Sequence, residues 1–361
     1  MESADVVVVG GGPGGSACAR ALVAHGLDVT VLDQARFPRD KVCAGWITPE
    51  VVSLLDLDPG DYAATRLFQP ITAFRVGVLP GPLTLVDYGR PVSYGIRRVE
   101  FDEYLLRRAG AGVVEGTRVS AIERRDGRWV VNGRWSAPHL VGAGGHFCPV
   151  ARTLNPSLRR ERVIVAQECE QPVAVAGLDA GTPELYFAAD LRGYAWLFPK
   201  GAWVNVGLGR EDSGGLPGYL AGFVDALAAR GRLPRDFTPE WRGHAYLVAS
   251  ASDRRVVGDG VLLLGDAAGL AVPASGEGIR CAVHSGLLAA EAILRARRGD
   301  AGALPGYAEA LRARFGHGRR RPPTAWNRRW QPVRTAAIRG AFRWSWFARR
   351  VVLDRAFLGA A

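Results

Sequence analysis

Three glycines near the start of the chain have the spacing of a phosphate-binding turn; they are Gly10, Gly12 and Gly15. The β-branched run DVVVVG at residues 5–10 predicts a buried parallel strand, and the alanine-rich residues 16–25 predict a helix after the turn. Such a turn holds a dinucleotide diphosphate, because the free N–H groups and the dipole of the helix N-terminus stabilise negative charge. Asp33 ends the next predicted strand and is expected to accept hydrogen bonds from an adenosine ribose.

Two further segments place a charged side chain beside a predicted strand end or helix start. Residues 260–285 contain a buried strand followed by Gly265 and Asp266, and residues 98–106 read RVEFDEYLL, which begins with Arg98 and has the form RxxFDxxL. Together with the glycine turn, these segments resemble the flavoproteins of the aromatic-hydroxylase superfamily. The resemblance implies FAD as the cofactor, with Asp266 at its ribityl or diphosphate region and Arg98 reaching it from the start of a helix.

The resemblance also assigns the residues expected to contact FAD. They are Gly10, Gly12, Pro13, Gly14, Gly15, Asp33, Gln34, Arg36, Lys41, Val42, Cys43, Ala44, Arg98, Val119, Gly144, Gly265, Asp266, Pro273, Gly276, Gly278 and Ile279. Gly144 stands where the superfamily usually has the Asp of a GADG sequence. In relatives that Asp is linked to the pyridine nucleotide, so the electron donor stays open between NADPH and a reduced protein.

Two segments in the first two thirds of the chain narrow the class. Residues 193–209 read GYAWLFPKGAWVNVGLG and fit the pattern YxWxFP, seven residues, GxG, while residues 41–49 read KVCAGWITP. With the glycine–aspartate segment they resemble the geranylgeranyl reductase family of flavoproteins, which saturate prenyl double bonds. The resemblance covers roughly the first 310 residues and implies an FAD-dependent oxidoreductase of lipid metabolism that reduces, or dehydrogenates, a carbon–carbon double bond in an apolar substrate.

Within that resemblance Cys43 is the expected proton-handling thiol, since an alkene that accepts a hydride also needs a proton from a donor. Tyr194 and Trp196 are expected to act beside it, and Trp46, Trp196, Phe198 and Pro199 are expected to bind the apolar substrate. Alternation along a strand would put Trp196 and Phe198 on one face as a wall of rings.

Two other functions share the same cofactor-binding features. An FAD-dependent monooxygenase or halogenase would act through a C4a-peroxyflavin, and halogenases carry a related GWxWxIP segment in which Tyr194 and Phe198 here replace the first Trp and the Ile. A flavin-binding sensor without turnover is the third class.

The element order predicts an α/β protein (α+β overall), a Rossmann-like FAD-binding domain with an inserted mixed or antiparallel β-sheet substrate domain and C-terminal helices. The expected boundaries are 1–65, 96–160 and 253–310 for the discontinuous FAD-binding domain, 66–95 and 161–252 for the substrate domain, and 311–361 for a basic, Trp-rich helical segment.

Composition and residue spacing indicate the cellular compartment of the protein. The first residues lack the basic start of a signal peptide, no apolar run is long enough for a spanning helix, and the five cysteines are scattered without metal spacing. We therefore expect a cytoplasmic protein without a metal site or a disulfide framework. No residue pattern marks an oligomer interface.

The net charge of +11 has its source in the last fifty residues, which hold 13 Arg and a single acidic residue, Asp354. A break is predicted at residues 319–323, followed by arginines mixed with aromatic residues, among them Trp326 and Trp330 and the helically spaced Ile338, Phe342 and Trp346. Residues 319–361 are therefore expected either to pack over the substrate domain with the arginines in solvent or to contact a membrane surface peripherally. Nucleic acid is not an expected partner, because no binding module accompanies the arginines.

Overall fold

The computed structural model describes residues 1–157, 161, 163–173, 178–212, 214–318 and 331–359, with only the backbone over 331–334. The predicted break at 319–323, Trp326 and Trp330 lie outside the described residues. Within them, the chain forms four sheets and a set of helices.

A five-stranded parallel sheet organises the N-terminal part of the fold. Its spatial order is Val261–Leu263, His139–Gly142, Val6–Val9, Val29–Leu32, Gly112–Val114. The central strand consists of four valines with almost no exposure, and burying each contributes about 1.5–3 kcal/mol. Strands apolar on both faces must be covered on both sides, which explains why this run lies at the centre of the sheet.

A seven-stranded mixed sheet forms the second large layer. Its spatial order is Arg242–Tyr246, Ile164–Pro172, Trp203–Arg210, Gly193–Lys200, Glu184–Phe187, Ala73–Val78, Leu83–Asp87. All neighbours are antiparallel except Glu184–Phe187 and Ala73–Val78, which run parallel. These elements confirm the predicted mixed α/β class with a separate, largely antiparallel sheet.

Two smaller sheets connect to these layers. One has the order Glu2–Ser3, Trp135–Ala137, Arg128–Val131, Ile122–Arg125. The sequence RWVVNGRW at residues 128–135 predicts a hairpin with its turn at Asn132-Gly133, and the structure has this hairpin, with positive φ at both residues. The other has the order Trp46–Ile47, Ser93–Ile96, Phe68–Ile71. Because the Trp46–Ile47 strand comes from the predicted FAD-binding ranges and pairs with Ser93–Ile96, the two predicted domains share a sheet here. The exact boundaries stay a prediction.

The helices lie between and after the strands along the chain. They are Pro13–Val23, Pro49–Leu54, Pro59–Ala63, Arg98–Arg108, Pro149–Leu154, Leu216–Ala229, Gly265–Ala268, Ile279–Arg297, Ala303–Phe315, Gln331–Ala341, Ser345–Phe347 and Ala348–Phe357, the last with π-type geometry, with a short 3₁₀ turn at Ala249–Ala251. The first helix begins at Pro13, three residues before the predicted start, because proline is favoured at the first helical position. The sequence predicts that Gly265 and Asp266 open a loop after the buried strand, but in the structure they begin the short Gly265–Ala268 helix.

The C-terminal segment packs on the seven-stranded sheet. Phe342, Val352 and Phe357 are buried in one apolar cluster with residues of that sheet, and the Thr84 hydroxyl donates to the carbonyl oxygen of Phe342 at 2.7 Å. This confirms the packing interpretation for the described part of the segment. The predicted stripe of Ile338, Phe342 and Trp346 is not one helix face, because the helix ends at Ala341 and Trp346 is exposed.

Candidate active site

A cavity of about 820 Å³ is lined both by residues that follow the parallel strands and by residues of the seven-stranded sheet. Its walls include residues that follow three of the parallel strands, namely Gly10, Asp33 and Gly144, and residues of the large sheet such as Trp196 and His244. The carboxyl ends of parallel strands are where such folds bind nucleotides, and the volume falls in the range of cofactor sites, about 300–1,000 Å³.

The glycine turn at one end of the cavity is possible only with glycine at two positions. Gly10 has φ +114°, and a Cβ there would lie 2.4 Å from the carbonyl oxygen of Ala143. A Cβ on Gly15 would lie 1.9 Å from the carbonyl oxygen of Gly10, so the helix packs directly on the turn. Asp33 accepts hydrogen bonds from the backbone N–H of Gly11 at 2.7 Å and of Ala35 at 2.8 Å, which fixes the turn to the next strand.

The cradle beside Gly12 fits an anionic group. The point that a Cβ on Gly12 would occupy is 3.5 Å from Nη2 of Arg39, which also forms an ion pair with Asp102 at 3.0 Å. The other terminal nitrogen of Arg39, Nη1, is buried without a hydrogen-bond partner among the described residues, and so is the hydroxyl of Thr48 in the same cavity. A buried guanidinium N–H without a partner is costly, and a diphosphate at the start of the Pro13–Val23 helix would satisfy it. The residues present therefore fit FAD.

Arg98 is fixed at the start of its helix by a two-point ion pair. Its Nε and Nη2 donate to the two carboxylate oxygens of Asp102, each at 2.7 Å, and both side chains are buried. Burial alone would lower the pKa of Arg98, but Asp102 and a contact with Cys43 raise it, so the guanidinium stays charged beside the thiol.

Asp266 carries a negative charge in the cavity. Its carboxylate lies 3.0 Å from Nε2 of His244. Burial alone would raise the pKa of Asp266, but the hydrogen bond and charge of His244, together with the charges of Lys41 and Arg98, lower it to about 2. Sequence reasoning missed His244, because it is an isolated histidine on the edge strand of the large sheet.

A group of aromatic rings also lines the cavity. Trp46, Tyr194, Trp196 and Phe357 line it, with ring centroids 5.5 Å apart for Trp46 and Phe357, 5.8 Å for Tyr194 and Trp196, and 5.3 Å for Tyr194 and Phe357. The hydroxyl of Tyr194 donates to the carbonyl oxygen of Ser275 at 2.5 Å, and burial raises the pKa of Tyr194 well above 10. These residues therefore present ring surface suited to an apolar ligand.

Phe357 reaches the cavity from the C-terminal segment and was missed by sequence reasoning. Only its place in an aromatic-rich tail pointed to packing, and nothing local identified the cavity as its partner. Trp196 and Phe198 do share one face of their strand, as alternation predicted, since Ala195 and Leu197 pack in a different cluster on the other face. Phe198 lies behind Trp46, with ring centroids 5.4 Å apart.

Cys43 lines the same cavity as the glycine turn and the aromatic rings, and it contacts Arg98. Cys43 is partly exposed, whereas the other four cysteines of the chain are buried. Its Sγ accepts a long hydrogen bond from the N–H of Gly45 at 3.4 Å. The structure thus brings the predicted thiol, a charged Arg98 and the aromatic rings to one cavity.

Most of the predicted site residues line this cavity, and five do not. Gly15 packs on Gly10, Arg36 and Pro273 are exposed away from the lining, and Phe198 and Pro199 lie in the sheet behind it. The lining members of the prediction are Gly10, Gly12, Pro13, Gly14, Asp33, Gln34, Lys41, Val42, Cys43, Ala44, Trp46, Arg98, Val119, Gly144, Tyr194, Trp196, Gly265, Asp266, Gly276, Gly278 and Ile279.

Comparison with known proteins identifies relatives of this arrangement. A family model described as FAD dependent oxidoreductase matches residues 5–75. The chain is 33% identical over 318 residues to a menaquinone reductase of Mycobacterium tuberculosis, covering 80% of this chain and 76% of that protein. It is 32% identical over 306 residues to a geranylgeranyl diphosphate reductase of Rhodobacter capsulatus, covering 80% and 75%. A crystal structure of a geranylgeranyl bacteriochlorophyll reductase-like protein from Thermoplasma acidophilum has the same fold, with a TM-score of 0.74 and 22% identity over 95% of this chain and 88% of that one.

Proposed function

Because the chain belongs to the geranylgeranyl reductase family of FAD-dependent oxidoreductases, we propose that it reduces a carbon–carbon double bond in a prenyl-like, apolar substrate. The observation that carries the proposal is that Cys43, the glycine cradle and the aromatic rings all line one cavity, with Cys43 in contact with Arg98. The cradle suits a dinucleotide and the rings suit an apolar chain, so cofactor and substrate would meet at the thiol.

The names of the relatives support the substrate class. Geranylgeranyl diphosphate is a prenyl compound, and menaquinone carries a prenyl side chain. Menaquinone and geranylgeranyl diphosphate are named as substrates of those relatives, not of this protein. The proposal takes from them only what the two compounds share, an unsaturated isoprenoid chain.

Gly12, the N-terminus of the Pro13–Val23 helix and Arg39 would hold the diphosphate of FAD. Asp33 would accept from the adenosine ribose with the lone pairs that its backbone contacts leave free. Arg98 and Asp266 would hold the central part of the cofactor, since both line the cavity as fixed charges.

When bound and reduced, FAD supplies the hydride, and with it both electrons of the reduction. The aromatic rings bind the prenyl chain and exclude water from the double bond. Cys43 donates the proton from Sγ to the second carbon, so that the π bond is replaced by two C–H bonds. Arg98 stabilises the thiolate that remains, which then takes a proton from solvent.

The proposal is tested by reducing the FAD-loaded protein with dithionite under nitrogen and then adding a polyprenyl alkene. Return of the oxidised flavin absorbance with the alkene, but not with its fully saturated analogue, is the expected result. If neither compound restores the absorbance while an unrelated acceptor does, the substrate class is wrong.

The same proposal includes contact with a membrane surface, where apolar prenyl substrates are held. Trp344 and Trp346 are 68% and 67% exposed on the C-terminal segment, and Arg343, Arg349 and Arg350 are exposed beside them. Exposed tryptophans with arginines suit the interface of an anionic bilayer. Among the described residues there is no helix with the length and apolarity needed to cross a membrane.

Vesicles containing anionic lipid should therefore retain the protein at low salt and release it as salt rises. Replacing both Trp344 and Trp346 by alanine is expected to lower the partition coefficient about tenfold or more, because two interfacial rings are lost. Tyr219→Ala, which removes an exposed aromatic ring elsewhere, is the control. Equal retention of the double variant and the parent would exclude this surface as the contact.

A further inference from the structure

Asn205 connects the two cavity groups that the proposed reaction needs. Its side chain is fully buried on the Trp203–Arg210 strand. Its Oδ1 accepts the indole N–H of Trp196 at 2.7 Å, and its Nδ2 lies 3.3 Å from the carbonyl oxygen of Cys43. Asn205 thus touches the ring and the backbone that carries the thiol, although it does not line the cavity itself.

Glu168 completes this connection from the neighbouring strand. One of its carboxylate oxygens accepts from the backbone N–H of Cys43 at 2.5 Å, and the other accepts from Nδ2 of Asn205 at 3.2 Å. Both ends of the Cys43 residue are therefore held by the same two side chains. Burial raises the pKa of Glu168 to about 7, against the hydrogen bonds from Cys43 and Asn205.

A second carboxylate, that of Glu170, lies beside Asn205, and Lys200 and Arg97 balance its charge. Glu170 receives a third contact from Nδ2 of Asn205 at 3.3 Å and forms ion pairs with Lys200 at 2.7 Å and with Arg97 at 3.0 Å. Burial alone would raise the pKa of Glu170, but Lys200 and Arg97 lower it, so this carboxylate stays charged.

The chemistry of the contacts requires an amide at position 205. The indole N–H of Trp196 can only donate, so it fixes Oδ1 toward the ring and Nδ2 toward Cys43 and the carboxylates. An aspartate would satisfy the indole but would place a third carboxylate against oxygen acceptors. A leucine of similar size would leave the indole N–H and the acceptors unpaired, at a cost of about 1–3 kcal/mol for each buried group.

We propose that Asn205, held by Glu168, is the positioning residue that fixes the Cys43 loop and the Trp196 ring in one relative orientation. The consequence for turnover rests on the proposed function, whereas the positioning of the thiol does not. Asn205 is one of the seven residues between the YxWxFP and GxG parts of the sequence pattern, and the proposal gives this position a specific role.

Alkylation of Cys43 by iodoacetamide measures that positioning without any substrate. The other four cysteines are buried, so the fast reaction in the folded protein reports Cys43. In Asn205→Leu and in Glu168→Gln we expect the alkylation rate to rise at least fivefold. The glutamine keeps only one accepting oxygen, so it loses the hydrogen bond from either the Cys43 N–H or Nδ2 of Asn205. Gln171→Leu is the matched control, because its amide bonds to Thr238 and Glu240, away from Cys43.

Turnover gives the second measurement. A displacement of about 1 Å at the reacting group can cost about 100-fold, so Asn205→Leu is expected to lower kcat by about that factor with a smaller change in KM. If Asn205 acts through Cys43, adding Asn205→Leu to Cys43→Ala should lower turnover little further.

The outcomes separate this inference from the proposed function. Parental alkylation rates in both Asn205→Leu and Glu168→Gln would overturn the positioning role, whatever the substrate is. Faster alkylation in the two variants, together with no reaction of the parent protein with prenyl alkenes, would support the positioning role and contradict the proposed function. If Asn205→Leu does not fold, Glu168→Gln alone decides.

Discussion

Replacing Cys43 by alanine is expected to lower turnover of a prenyl substrate by about 10²- to 10⁴-fold, the contribution usual for a positioned proton donor. FAD should remain bound, because the glycine cradle and Arg39 are untouched. The other acids near the rings are poor substitutes: the hydroxyl of Tyr194 is committed to Ser275, and burial raises the pKa of both Tyr194 and Tyr246.

Two variants make the Cys43 result interpretable. Cys43→Ser keeps the shape but holds its proton more tightly, so its turnover is expected to fall as well. Cys169→Ala removes a buried thiol from a different cluster and should leave turnover unchanged. Turnover of Cys43→Ala equal to that of the parent, measured as product formed per FAD, would remove Cys43 from the reaction.

Gly12→Ala is expected to weaken FAD binding at least tenfold, about 1.4 kcal/mol or more, while the protein stays folded. Gly12 has ordinary extended angles, φ −73° and ψ −177°, and its added Cβ would meet only Arg39 Nη2, at 3.5 Å. The methyl group would instead occupy the space through which the backbone approaches the diphosphate.

Titration of the FAD-free protein with FAD, followed by flavin fluorescence, measures this effect. Gly218→Ala is the control, since Gly218 is an exposed position of the Leu216–Ala229 helix with nothing within 4 Å of the added Cβ, and the change should leave FAD affinity unchanged. If a folded Gly12→Ala protein bound FAD as tightly as the parent does, the diphosphate would not bind at this turn.

Local sequence patterns were sufficient for the parts of the fold that depend on neighbouring residues. The valines at 6–9 predicted the central strand, and Asn132-Gly133 predicted the hairpin, because strand burial and turn geometry are set by a few adjacent side chains. The glycine turn and Asp33 were likewise readable, since the motif lies within one strand–turn–helix unit.

The residues that sequence reasoning missed depend on distant parts of the chain. Asn205 meets Cys43 across 162 positions, Phe357 meets Trp46, and Arg39 meets Asp102. None of Asn205, Phe357 and Arg39 is a specified position of a sequence pattern, so only the packing of the sheets identifies their partners. The same holds for the C-terminal stripe, where the helix end at Ala341 separates Phe342, which is buried, from Trp346, which is exposed.

The mass of the product tests the central claim most directly. The dithionite-reduced protein is mixed with a polyprenyl alkene under nitrogen, and the extracted product is analysed by mass spectrometry. The proposed reduction predicts a product heavier than the substrate by two hydrogen atoms, formed without oxygen. A product that instead gains an oxygen or a halogen atom, and forms only when oxygen is admitted, would contradict the reduction and identify a monooxygenase or halogenase.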